Sequence, residues 1–146
     1  MTPETTQRQA AAPDRQAWIG AALLAGVAYF VIGKVFALPA DHARAWRLAA
    51  WVVSGGVYAA HIAYEHFRRR DSLRLTASRV ALGVALGAFG LAVAGMMHSY
   101  SATSAVRPAW LLALVLWPAF TAVPAFVGAL IAGAVLARLA RSTDTE

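Results

Sequence analysis

Apolar residues dominate four long stretches of the chain, and polar or Pro-marked breaks separate them. The stretches run from about residue 17 to 38, 45 to 66, 77 to 97 and 109 to 137. Each reaches or exceeds the roughly 20 residues that a helix rising about 1.5 Å per residue needs to cross bilayer hydrocarbon about 30 Å thick. The pattern predicts an all-α integral membrane protein, a single four-span helix bundle over residues 17–138. Residues 1–16 and 139–146 read as polar cytoplasmic tails, the first of them disordered. The first stretch is longer than the apolar core of a signal peptide and carries Lys34 near its end, so it is expected to be retained as a span.

Charge placement orients these spans. Arg8 and Arg15 lie before the first span, Arg68, Arg69, Arg70, Arg74 and Arg79 around the second break, and Arg138 and Arg141 after the last span. Lys34, Arg44, Arg47 and Arg107 occupy the other side. With four spans that is nine basic residues against four, and the positive-inside rule puts both termini and the Arg68–Arg69–Arg70 loop in the cytoplasm. The same placement explains the net charge of +6 without a nucleic-acid partner. Trp18, Trp46 and Trp110 stand at span starts, where indole rings favour the interface. Twelve of the 13 basic residues are Arg, and with the abundant Ala and Gly this suggests a bacterial inner membrane as the location.

Helix contacts in lipid depend on small residues that let backbones approach. Gly83, Gly87, Gly90 and Ala94 recur at spacings of four, three and four, forming one narrow packing strip on the third span. The first span has a weaker version in Ala22, Gly26 and Gly33. The fourth span contains Pro118 and Pro124, each of which removes a backbone donor, and Thr121 between them is placed to bond a freed carbonyl. A bent span is expected there.

The second span carries the pattern most suggestive of chemistry. Arg47, Ser54, Tyr58, His61, Glu65, Arg68 and Ser72 are spaced so that, on one continuous helix, they share about 80° of arc. Ala49, Val52, Val53, Ala60 and Ala63 form the opposite, apolar face. Polar groups inside hydrocarbon are costly, so this stripe is expected to face the bundle interior or a watery cavity. Ser54 and Tyr58 fall near the midplane, with Tyr29 of the first span as a candidate neighbour. Glu65 is expected to pair with Arg69 one turn on, and His61 is placed to donate to Glu65. That pair reads either as a satisfied structural contact or as a proton site.

Other chemistry finds little support. No cysteine is present, which removes disulfides, thiolate metal sites and dithiol redox chemistry. His61, Glu65 and His66 offer only two metal ligands on one face, and His61 and His98 stand too far apart in depth for a bis-histidine haem. No cofactor and no metal are expected. Nucleotide loops, nucleophile motifs and paired carboxylates are absent, so an enzyme is the less favoured class. Three readings remain: a structural or accessory protein that forms a homo-oligomer or joins a larger membrane complex, a transporter moving a proton or small solute along the stripe, and a lipid-binding protein or membrane-embedded enzyme. For the third, Arg68, Arg69 and Arg70 are candidate contacts for anionic headgroups, each contributing about 1 kcal/mol near the surface. The first reading demands least of the sequence and is the one it favours.

Overall fold

The computed structural model describes residues 12–37, 41–69, 72–103 and 108–143. Four helices account for nearly all of them: α1 (Ala12–Val35), α2 (Ala43–Tyr64), α3 (Leu73–Thr103) and α4 (Pro108–Thr143). A π-helical turn, Glu65–Arg69, continues from the end of α2. The stretches Ala17–Val35, Leu73–Ala102 and Pro108–Leu139 are long and apolar enough to cross a membrane, which is the signature of a membrane protein. α2 has comparable length but is not among them, because Arg44, Arg47 and His61 join the hydroxyl-bearing residues along it.

Two helix starts follow from local chemistry. Pro108 opens α4 at a position where a missing N–H costs little. His42 precedes α2 in the left-handed region (φ 58°, ψ 36°), and its carbonyl accepts from the N–H groups of Ala45 and Trp46. Phe36 and Trp46, with ring centroids 5.7 Å apart, pack across this turn. α1 begins at Ala12, inside the segment expected to be a polar tail, and α4 continues to Thr143.

α3 is the central helix, making its most extensive contact with α4 and its next with α1. Both interfaces are glycine-mediated. A Cβ built on Gly87 would stand 2.5 Å from the Tyr29 Cβ and 3.0 Å from the Gly26 carbonyl oxygen. One on Gly83 would meet Ala25 and the Ala22 carbonyl oxygen, and one on Gly90 would meet the Phe30 ring. The α3 strip is therefore seated on Ala22, Gly26, Tyr29 and Phe30, with α1 and α3 parallel. The Trp110 ring lies over Gly95 and Leu73 over Gly133, so α3 and α4 run antiparallel. α4 remains one unbroken helix through Pro118 and Pro124, roughly 54 Å long at 1.5 Å per residue. Contrary to expectation, Thr121 Oγ1 donates to the Trp117 and Pro118 carbonyls, both at 3.0 Å. The carbonyls deprived of a helical donor are those of Leu114 and Phe120, four residues before each proline.

α2 is the loosely seated element. Leu48, Trp51 and Val52 are exposed, Trp51 by 78%. A Cβ on Gly55 or Gly56 would meet nothing within 4 Å. Only towards its end does α2 enter a core, where Ile62 packs with Ala77, Val80 and Ala129.

Candidate functional site

The residues from Arg47 to Glu65 lie along α2 and the first position of the π turn, and the turn then changes the stripe. A π helix bonds i to i+5, so residues past Tyr64 no longer keep the α-helical azimuth. Ser72 is not part of the stripe; it precedes α3 and accepts the N–H groups of Leu75 and Thr76 on its carbonyl. The side chains of Arg68 and Arg69, and all of Arg70, fall outside the described residues, so the lipid-headgroup candidates are not located further.

Glu65 is fully buried, and the partner described for it lies on α3, while the expected pair with Arg69 falls outside the described side chains. Its Oε2 accepts from an Arg79 guanidinium N–H at 3.0 Å. Arg79 in turn lies over the Trp18 ring, 5.4 Å from its centroid. One arginine thus ties the π turn to α3 and α1, and the half-buried Trp18 ring is the surface beneath that cation. The second carboxylate oxygen, Oε1, has no hydrogen-bond partner among the described residues.

His61 is also buried, and the expected bond from it to Glu65 is not formed. Neither Nδ1 nor Nε2 has a hydrogen-bond partner among the described residues. Its ring packs beside Gly83, whose missing Cβ makes room: a built Cβ would stand 3.1 Å from His61 Cε1. His61 and Tyr64 face a cleft of about 470 Å³ between α1 and α2. Buried polar groups are nearly always hydrogen-bonded, so an imidazole with both nitrogens unpaired calls for an explanation.

Nearer the α1–α2 turn, the stripe borders a run of cavities on the other flank of α2. Arg47 lines a recess of about 380 Å³ with Gly33, Phe36 and Ala50. It also lines a cavity of about 340 Å³ that reaches Tyr29, Ser54 and Thr121. A third, of about 520 Å³, shares Tyr29, Ser54 and Thr121 and ends beside Tyr58 and Gly128. Tyr29, Ser54 and Tyr58 are thus brought to one cavity. The Tyr58 hydroxyl donates to the Ala125 carbonyl of α4, while the buried Tyr29 hydroxyl has no hydrogen-bond partner among the described residues. Arg47, at one end of the stripe, is the charge on this run.

Sequence reasoning did not find Arg79, Trp18 or Thr121 as members of these sites. Arg79 was legible only as a topology charge, since its partner lies 14 residues away on another element. Among the described residues no three His, Cys, Asp or Glu side chains converge as a metal site would require. No protein-family model, curated protein or solved structure matches the chain.

Proposed function

We propose that this is a four-span protein of a bacterial inner membrane, with both ends in the cytoplasm, that admits a small polar solute along α2 from the outer side. The orientation rests on the nine-to-four division of basic residues. α2 is counted as a span despite its lower hydropathy because its polar side chains border interior space, where their cost is smallest. The observation that carries the functional reading is the run of cavities sharing Arg47, Ser54 and Thr121 and ending at Tyr58. Arg47 at its outer mouth favours a neutral or anionic solute over a cation. The hydroxyl oxygens of Ser54 and Thr121 supply polar atoms on the lining of this run. His61 lies in a different cleft and takes no part in this path.

The absence of cysteine makes the test clean. Ser54→Cys is expected to react with a membrane-impermeant maleimide added to the outside of intact spheroplasts, and Val52→Cys on the outward face is not. Equal, slow labelling at both positions rejects an outward-open solute path.

A second reading has its own support. The unpacked stretch of α2 around Trp51, Val52, Gly55 and Gly56 offers a smooth surface for another helix. In that reading the protein is an accessory subunit or homo-oligomer. Gly56→Cys would then form a disulfide-linked dimer under mild oxidation in native membranes, and a monomer at all oxidant levels disfavours self-association through this face.

A further inference from the structure

The cavities along α2 are not walled on every side. Their floor is α1 and α3, through Tyr29, Ile32, Val84, Ala88 and Leu91. Their flanks are α2 and α4, and α2 touches α4 less than it touches α1 or α3. The ties between those flanks come late in α2, at Tyr58 on Ala125 and at Ile62 with Ala129. Before them the two helices leave a groove whose rims, Trp51 and Phe120, are 78% and 71% exposed. For helices that span a membrane, that open side faces lipid. From Arg47 to Tyr58 the groove runs about 16 Å along α2 at the helical rise. One leaflet of a bilayer contributes about 15 Å of hydrocarbon.

Charge is confined to one end of this groove. Arg47 borders it near the start of α2 and has no hydrogen bond or ion pair among the described residues. Arg44 lies one turn before it on the same helical face. With Lys34 in the last turn of α1, these cations outnumber the acid of the intervening turn, Asp41. Deeper in, Trp51, Val84, Ala88, Leu91 and Phe120 make most of the wall apolar. A hydrocarbon chain enters such a lining without desolving a polar group. The complementary occupant is therefore a chain about one leaflet long, with an anionic head at the membrane surface.

We infer that the α2–α4 groove seats an anionic phospholipid of the outer leaflet, its phosphate at Arg47 and one acyl chain lying along the groove to Tyr58. The second chain stays in the bilayer, which the open side between Trp51 and Phe120 permits. Arg47 stands about 6 Å from the start of α2 at the helical rise, close to the level of the headgroups. Its guanidinium presents a planar fork of donors to the phosphate oxygens. The inference goes beyond the solute path while resting on the same orientation. A seated chain fills the space a solute would use, so the lipid-bound form is the closed one.

The test is native mass spectrometry of the full-length protein in detergent micelles, offered phosphatidylglycerol and phosphatidylcholine with identical chains at equal concentration. One phosphatidylglycerol is expected to be retained in preference. Arg47→Gln is expected to weaken its retention about tenfold, the size of one charge-assisted contact. Arg138→Gln, which removes the same charge from an exposed position near the end of α4, is expected to leave retention unchanged. Gly55→Leu fills the groove from a position where a Cβ meets nothing within 4 Å, so it is expected to displace the lipid without disturbing the fold. Equal retention of the two lipids, equal losses in Arg47→Gln and Arg138→Gln, or retention unaffected by Gly55→Leu overturns the proposal. So does displacement by equimolar palmitate, which would assign the groove to a single-chain carboxylate. None of these readouts needs Ser54→Cys to be labelled, so the lipid site and the solute path fail separately.

Discussion

The glycines supply a paired experiment on how the bundle is held together. Gly87 and Gly56 are both helical, so replacing either with Ala gains the same intrinsic propensity, about 1 kcal/mol. Their surroundings are opposite. A Cβ at position 87 would stand 2.5 Å from the Tyr29 Cβ and 3.0 Å from the Gly26 carbonyl oxygen, both backbone-anchored atoms that cannot turn aside. A Cβ at position 56 meets nothing within 4 Å. Ordinary carbon–carbon contact is about 3.5–4.0 Å, so Gly87→Ala forces α1 and α3 apart by about 1 Å. Overpacking of that kind costs about 1–3 kcal/mol. Gly56→Ala is therefore expected to stabilise by up to about 1 kcal/mol, and Gly87→Ala to fall below it by about 1–3 kcal/mol. At about 1.4 kcal/mol per tenfold, the two variants differ roughly 5- to 150-fold in their folding constants. Reversible unfolding in mixed SDS–detergent micelles, followed by tryptophan fluorescence, reads the difference. Equal stabilisation of both variants refutes the close α1–α3 approach.

Three further outcomes follow from other contacts. Arg79→Met leaves the Glu65 carboxylate buried and unpaired and is expected to cost about 3–5 kcal/mol; the same micelle assay should find much of this restored in the Glu65→Met/Arg79→Met double variant, whereas additive losses would deny the pair. Tyr58→Phe removes the bond to Ala125 and is expected to cost about 1 kcal/mol while raising maleimide labelling of Ser54→Cys, because α2 then has one fewer tie to α4; unchanged labelling would show that this bond does not limit access. Thr121→Val is expected to shift stability by less than about 1 kcal/mol, since the carbonyls its hydroxyl meets already have helical donors; a loss of several kcal/mol would mean that the hydroxyl compensates for the prolines after all.

What could be read from the chain alone divides along a physical line. Helix existence is legible because apolar length is a local property. The glycine strip is legible too, since spacings of four, three and four define one helical face whatever lies opposite. The π turn is not: bonding i to i+4 or to i+5 differs little locally, and Glu65 sits where it can be buried against Arg79. Extending the α-helical wheel as far as Ser72 therefore fails, since Ser72 lies beyond the turn and precedes α3. The state of His61 is equally non-local. Its expected bond to Glu65 relied on spacing, but the carboxylate is turned towards α3 and the imidazole lies beside Gly83.

The distribution of contacts assigns different mechanical roles to the helices. α1, α3 and α4 meet through glycines at distances that leave no slack, so a displacement of about 1 Å at Gly87 or Gly95 creates a clash or a void. α2 is tied by a few discrete contacts: Phe36 on Trp46 at one end, Tyr58 on Ala125 in the middle, and the Glu65–Arg79 pair with the Ile62 core at the other. Space lies on both of its flanks, the Arg47–Tyr58 cavities on one and the His61 cleft on the other. Tyr58 and His61 are three residues apart, roughly 4.5 Å along the axis and 60° in azimuth, so a single turn of α2 separates the two spaces. Breaking the hydroxyl bond at Tyr58 costs far less than separating glycine-packed helices. A conformational change that alters either space must therefore be a movement of α2 against the other three, and Gly87→Ala and Tyr58→Phe perturb the frame and the moving part separately.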